Sequence, residues 1–203
     1  GKKELEATPE AIVNEFNRRP GYTHSLLDGV LVDEFYRDKE PYEAFTAAIK
    51  RLNVERSGKA FYPYAAGKFG KDPGSLAFAQ ACVEGGGYVC WEAYLAEWDS
   101  LRLATNSMRR YPHTHILPMT DKVPGLINKT IWVFGAFSFP WPYADGYAGV
   151  NFNVYLDMQF QFIATHPALF GLGGVHVWRT GYCDEERVRW FGRFFRHYAL
   201  EGR

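Results

Sequence analysis

Three side chains in this sequence are placed for acid–base chemistry: Asp33, Glu34 and Glu92. Asp33 and Glu34 close the run Leu27-Asp28-Gly29-Val30-Leu31-Val32, in which Asp28-Gly29 signals a turn and the apolar residues after it read as a buried parallel strand. A carboxylate is costly to bury without a partner, so acids at a strand end belong at a mouth or in a site. Glu92 stands near the C-terminal end of a second run, Tyr88-Val89-Cys90-Trp91-Glu92-Ala93-Tyr94. A third run, Gly174-Val175-His176-Val177-Trp178-Arg179, brings an imidazole, an indole and a guanidinium. Strand residues alternate sides, so Val32 shares a face with Glu34, Cys90 with Glu92, and His176 with Trp178. On that pattern Glu34, Glu92, His176 and Trp178 converge on one mouth.

Two carboxylates from different strands suit hydrolysis of a glycosidic bond. One protonates the leaving oxygen, and the other acts as nucleophile or as base for water. The expected pair is Glu34, or Asp33, with Glu92. Tyr62, Tyr64, Trp91, Trp141 and Trp178 offer faces on which sugar rings stack, and His176 and Arg179 complete the substrate set. The plain structural alternative for each acid is an ion pair with an arginine, or a helix cap at a strand-to-loop junction.

Such residues need elements to carry them. The 203 residues suffice for one domain with a sizeable core, but fall short of the ~250 typical of a full eight-fold barrel. Thr8-Pro9, Glu40-Pro41 and Asp72-Pro73 each place a capping residue before a proline that starts a helix, and the prolines are spaced evenly. The interval suits a strand–loop–helix–loop unit, and such units build parallel sheets. Ile12, Val13 and Phe16 form one helical stripe, Tyr42, Phe45, Ile49 and Leu52 a second, and Leu76, Ala79 and Val83 a third that Gly85-Gly86-Gly87 ends. Strands are expected over 27–35, 59–65, 87–94, 129–138 and 173–179, with a weaker sixth at His115-Ile116-Leu117. Further helices are expected over 96–110 and 151–165, and a last one capped by Asp184, with Val188, Phe191, Phe195 and Tyr198 on one face. Segments 66–72, 111–128 and 139–150 read as the longer loops. The fold class is α/β, one domain over 1–203 with about five parallel strands alternating with helices, and two architectures fit: an open doubly wound sheet, or a (β/α)-barrel-type fold whose earlier units are absent.

The pattern over residues 8–200 resembles the later two-thirds of a (β/α)8-barrel glycoside hydrolase. Leu27–Phe35 is similar to the fourth strand of several such families, where Asp-Gly opens the strand and an acid closes it. Counting from there, Glu92 falls on the sixth strand, a placement that resembles α-galactosidase-like barrels. The strand ending in Trp178 resembles an eighth strand whose tryptophan floors the sugar site, and Arg189–Tyr198 the last barrel helix. The resemblance implies a polysaccharide or oligosaccharide substrate, and a secreted or periplasmic setting. It also implies that strands one to three are missing. An incomplete barrel leaves two edges and half a core exposed, which a second copy or a companion segment would cover. A barrel of this kind that has lost its chemistry would bind a glycan without cleaving it.

Other chemistries have weaker signals. His113-Thr114-His115 in an extended segment would put two imidazoles on one side, and His166, His176, Asp33 or Asp121 could complete a metal-dependent hydrolase site. No Gly-x-Ser-x-Gly elbow is present, and Cys183 beside Asp184 reads as part of a cap. No Gly-x-Gly-x-x-Gly follows a strand, so no dinucleotide cofactor is expected, and none of another kind is called for. Cys82 and Cys90 read as small buried hydrophobes. The 23 basic and 23 acidic residues balance, which argues against nucleic acid or an anionic membrane as partner, and no apolar run is long enough to span a bilayer. The opening Gly-Lys-Lys reads as the start of a piece cut from a longer chain, so the lack of a leader says little about compartment.

Overall fold

The structure, a computed structural model, describes residues 8–36, 40–95, 98, 100–135, 151–178 and 183–202. In chain order its elements begin with helices α1 (Pro9–Phe16) and α2 (Pro20–Thr23), strand β1 (Gly29–Phe35), helix α3 (Tyr42–Glu55), strand β2 (Ala60–Ala65), helix α4 (Pro73–Glu84) and strand β3 (Val89–Ala93). They continue with α5 (Leu101–Tyr111), α6 (Leu117–Thr120), β4 (Thr130–Gly135), α7 (Phe152–Thr165), β5 (Gly174–Trp178) and α8 (Glu185–Phe195). The five strands form an all-parallel sheet in the order β1-β2-β3-β4-β5, so the fold is α/β with strands alternating with helices.

Caps and prolines set the helix starts as expected in two of three cases. Pro9 opens α1, and the Thr8 hydroxyl accepts a hydrogen bond from the Ala11 N–H at 3.3 Å. Pro73 opens α4, and the Asp72 carboxylate accepts from the Ser75 N–H at 3.0 Å and from the Ser75 hydroxyl at 2.6 Å. Pro41 differs: it stands at the N-cap, outside α3, and no side chain caps that helix. Asp184 caps α8 by accepting from the Arg187 N–H at 2.8 Å.

The chain divides into two compact units. One is Gly1–Trp91 with Pro118–Ile131, and the other Glu92–Leu117 with Trp132–Arg203. In the first unit, β1 and β2 run in parallel register from Gly29↔Ala60 to Val32↔Pro63. Gly29 serves close approach: a Cβ there would fall 1.9 Å from the Ala60 carbonyl oxygen. Gly21 of α2 lies equally close to β1, where a Cβ would meet the Gly29 oxygen at 2.1 Å. The core of this unit is a cluster of rings on the helix side of the strands. Phe35, Phe45, Phe61 and Phe78 meet at centroid distances of 4.8 to 6.4 Å, and all are fully or almost fully buried. Edge-to-face pairs in this cluster add about 0.5–1.5 kcal/mol each beyond the area they bury.

The second unit is centred on Phe160 of α7. Its ring stacks on Phe134 of β4 at 4.5 Å and meets Phe191 of α8 at 6.3 Å. Opposite, the Tyr198 hydroxyl donates to Asp157 at 2.7 Å, and burial with that bond pushes the phenol up to about 12.

Two expectations are corrected. His115-Ile116-Leu117 is no strand, and 111–128 is no long loop. A π-helical turn over Pro112–Ile116 continues directly from α5, α6 follows it, and a 3₁₀ turn occupies Leu126–Lys129. Pro112 stands where α5 passes into the π-turn; a proline there gives up the bond to the carbonyl four residues back, and the helical path continues through the wider turn where a break was expected. The parts of the expected loops at 139–150 and of the strand at 136–138 lie outside the described residues.

Candidate active site

A β-bulge shapes the C-terminal end of β1. The ladder pairs Val32 with Pro63 and next pairs Phe35 with Ala65, so Asp33 and Glu34 together stand where one residue would oppose Tyr64. Strict alternation would have put Glu34 on the side of Val32, toward the helices. The inserted residue instead lets Phe35 take that side, where it is fully buried among the rings of Phe45, Phe61 and Phe78. The expected sharing of a face by Val32 and Glu34 is therefore corrected. The cause is the drive to bury a phenyl ring and leave two carboxylates in water.

The bulge carries strain. Glu34 has φ +70°, the only positive φ on a non-glycine among the described residues. A left-handed conformation costs an L-residue about 1–2 kcal/mol. Asp33 helps to hold it: its Oδ1 accepts from the Glu34 N–H at 2.8 Å. Both side chains are exposed. Strain of this kind clusters at functional sites, and here it coincides with the two acids the sequence singles out.

Glu92 belongs to the second unit and is half-buried near the end of β3. The Tyr94 hydroxyl donates to its Oε1 at 3.4 Å, and the Tyr111 hydroxyl donates to its carbonyl oxygen at 3.1 Å. Tyr111 also lies 4.6 Å from the ring of His115 and 5.4 Å from Trp132. It lines a cavity of about 370 Å³ together with Trp98, Asn106, Arg110 and His115. The Trp98 indole N–H is buried there with no hydrogen-bond partner among the described residues. Indole, amide and guanidinium around one cavity are groups that bind polyols.

Tyr94, Trp98 and Tyr111 escape a reading that looks only for acids. The available signal was Tyr94, two residues beyond Glu92 and so on the same side of the chain.

The expected stacking residues divide. Tyr64 and Trp91 are fully buried; Trp91 pairs in register with Ala65, and its ring lies 6.5 Å from Phe69. Both are core here, with no face at the surface. Tyr62 is half-buried and stacks on Tyr88 at 6.4 Å, with the Lys129 ammonium 4.4 Å from the Tyr88 ring centre. On β5, His176 is exposed and Trp178 half-buried. Trp141 and Arg179 lie outside the described residues.

The His113/His115 metal arrangement is corrected. The two residues occupy a helical turn, not an extended segment, so a spacing of two puts them on different sides. His115 goes to Tyr111, and His113 to His166 at 5.7 Å. Among the described residues no group of three or more His, Cys, Asp or Glu side chains is placed to hold a metal. Cys82 and Cys90 are buried, and burial pushes the Cys82 thiol up.

Comparison of the chain with protein-family models and with curated proteins finds no match to either.

Proposed function

We propose that this chain is a (β/α)-barrel-type protein related to glycoside hydrolases, acting on an oligosaccharide or polysaccharide through a carboxylate pair. The observation that carries the reading is the bulge at the end of β1. It holds two adjacent carboxylates in solvent at the C-terminal end of a parallel strand, one of them strained. In parallel α/β folds that end of the strands is where substrates bind and react. In this reading Glu34, or Asp33, takes one role of the pair and Glu92 the other, as acid and as nucleophile or base. Tyr94 helps to orient Glu92 by donating to its carboxylate. Trp178, His176, Arg179 and Trp141 belong to the proposed substrate set, and Trp98, Asn106 and Arg110 join it. Tyr64 and Trp91 support the strands from within.

A second reading, glycan binding without cleavage, is favoured by the cavity beside Tyr111, where Trp98, Asn106 and Arg110 bring indole, amide and guanidinium groups together.

Reducing-sugar release from a broad polysaccharide panel separates the two. The activity reading expects release by the wild type and a fall of about 10²–10⁴-fold in Glu34→Gln or Asp33→Asn, and in Glu92→Gln, with folding intact. Release that survives all three substitutions sinks the pair. Binding without release, weakened only modestly by the same substitutions, establishes the second reading.

A further inference from the structure

Side chains from α5, α7 and the turn after α7, all in the second unit, line another cavity, and the one formal charge among them is positive. The cavity, about 320 Å³, lies between α5 and α7, lined by Met108, Met158 and Phe162 and by the polar groups Arg109, Gln161 and His166. His113, from the π-helical turn, meets the His166 ring edge to face at 5.7 Å. α5 contains no acid, and the single acid of α7, Asp157, takes the Tyr198 hydroxyl. Arg109 forms no ion pair with any described residue.

The tautomer of His166 narrows the ligand. Its Nδ1 accepts a hydrogen bond from the Ala168 N–H at 3.3 Å, which leaves the ring proton on Nε2. A ring in that state donates from Nε2 and cannot ligate a metal through it. Burial first, then the charges of His113 and Arg109, hold its pKa below the ordinary histidine value, so the donor is neutral near pH 7.

We propose that this cavity binds a small oxyanion of the phosphate type, with Arg109 supplying charge and paired donors and the His166 Nε2–H and Gln161 amide supplying neutral ones. A guanidinium with no carboxylate partner gains charge-assisted, paired hydrogen bonds when an oxyanion arrives.

Calorimetric titration with inorganic phosphate at pH 7.5, with ionic strength held constant by sodium chloride, tests this. The expected result is saturable binding that weakens at least tenfold in Arg109→Gln and in His166→Ala. Arg102→Gln, on α5 but outside the cavity, should bind as the wild type does. Absence of binding by the wild type overturns the proposal, and so does undiminished binding by Arg109→Gln. If a variant fails to fold, imidazole NMR signals of the wild type decide: those of His166 must move on adding phosphate while those of His24 stay, and a still His166 signal overturns it.

Discussion

The Asp33 carboxylate accepts the backbone N–H of Glu34 at 2.8 Å, and the residue it holds is the one with φ +70°. One acid thus fixes the backbone of the next. Because the bond leaves the Glu34 side chain out of the contact, position and chemistry are separable by mutation.

Glu34→Ala and Glu34→Gly both remove the carboxylate, but only glycine accepts the left-handed backbone without steric cost. The glycine variant should be more stable than the alanine variant by about 1 kcal/mol. Urea denaturation with equal m-values checks this. Equal stabilities would mean that the backbone relaxes out of the positive φ.

Deletions test the bulge itself. Removing Glu34 restores a regular ladder in which Asp33 opposes Tyr64 and Phe35 still opposes Ala65, so the protein should fold. Removing Val32 gives an equally regular ladder but pairs Asp33 with Pro63, on the helix side. That variant should be less stable than the Glu34 deletion, because it turns a carboxylate toward the half-buried position of Val32. Circular dichroism and thermal unfolding of the two deletions tell them apart.

Phe35→Ala should cost about 3–5 kcal/mol, since the ring is fully buried and four aromatic neighbours would face the void. Phe35→Leu should recover a large part of this. Chemical denaturation midpoints provide the comparison.

At α4, Asp72→Ala should destabilise by about 0.5–2 kcal/mol, because the N-cap and its bond to the Ser75 hydroxyl are lost together. Asp72→Asn, which keeps an acceptor, should lose less. A thermal melt of each variant measures the difference.

His166 makes stability depend on pH in a definite direction. Its pKa in the fold lies below the ordinary 6.5, so the unfolded chain binds the proton more readily. The contribution is present above that value and is lost as pH falls through the lowered folded one. His166→Gln should flatten the fall in melting temperature between pH 7 and pH 5. An NMR titration that gives His166 a pKa above 6.5 would contradict the burial that motivates this.

Much of the scaffold is written locally. Thr8, Asp72 and Asp184 cap the helices their sequences announce, and the strand at 27–35 lies where its apolar run indicates. Features that depend on the neighbours were not legible. The bulge breaks the two-residue period, and only the partner strand shows that Phe35, not Glu34, belongs with Val32. A hint lay in the order acid-acid-Phe, since a large ring following two acids competes for the buried side. His113 and His115 read as extended because two prolines flank them, yet the helical path passes through Pro112 by widening into a π-turn. Tyr64 and Trp91 looked like site residues because strands covered on both faces do not separate polar from buried positions by alternation. The acids were legible as a cluster, but Tyr111, which reaches Glu92 across 19 residues of chain, was not.

The bulge has one more effect, on what else can join the sheet. Among the described residues β1 stands at the end of the strand order, and a border strand is a template for unwanted ladders and fibrous aggregation. Regular pairing with β2 runs unbroken only from Gly29 to Val32, beyond which two residues oppose one and negative side chains project. A stray strand laid along the outer side would therefore lose step within about four residues and meet like charge if it carried acids of its own. The same inserted residue that sets out the carboxylates acts as a gatekeeper against self-templating.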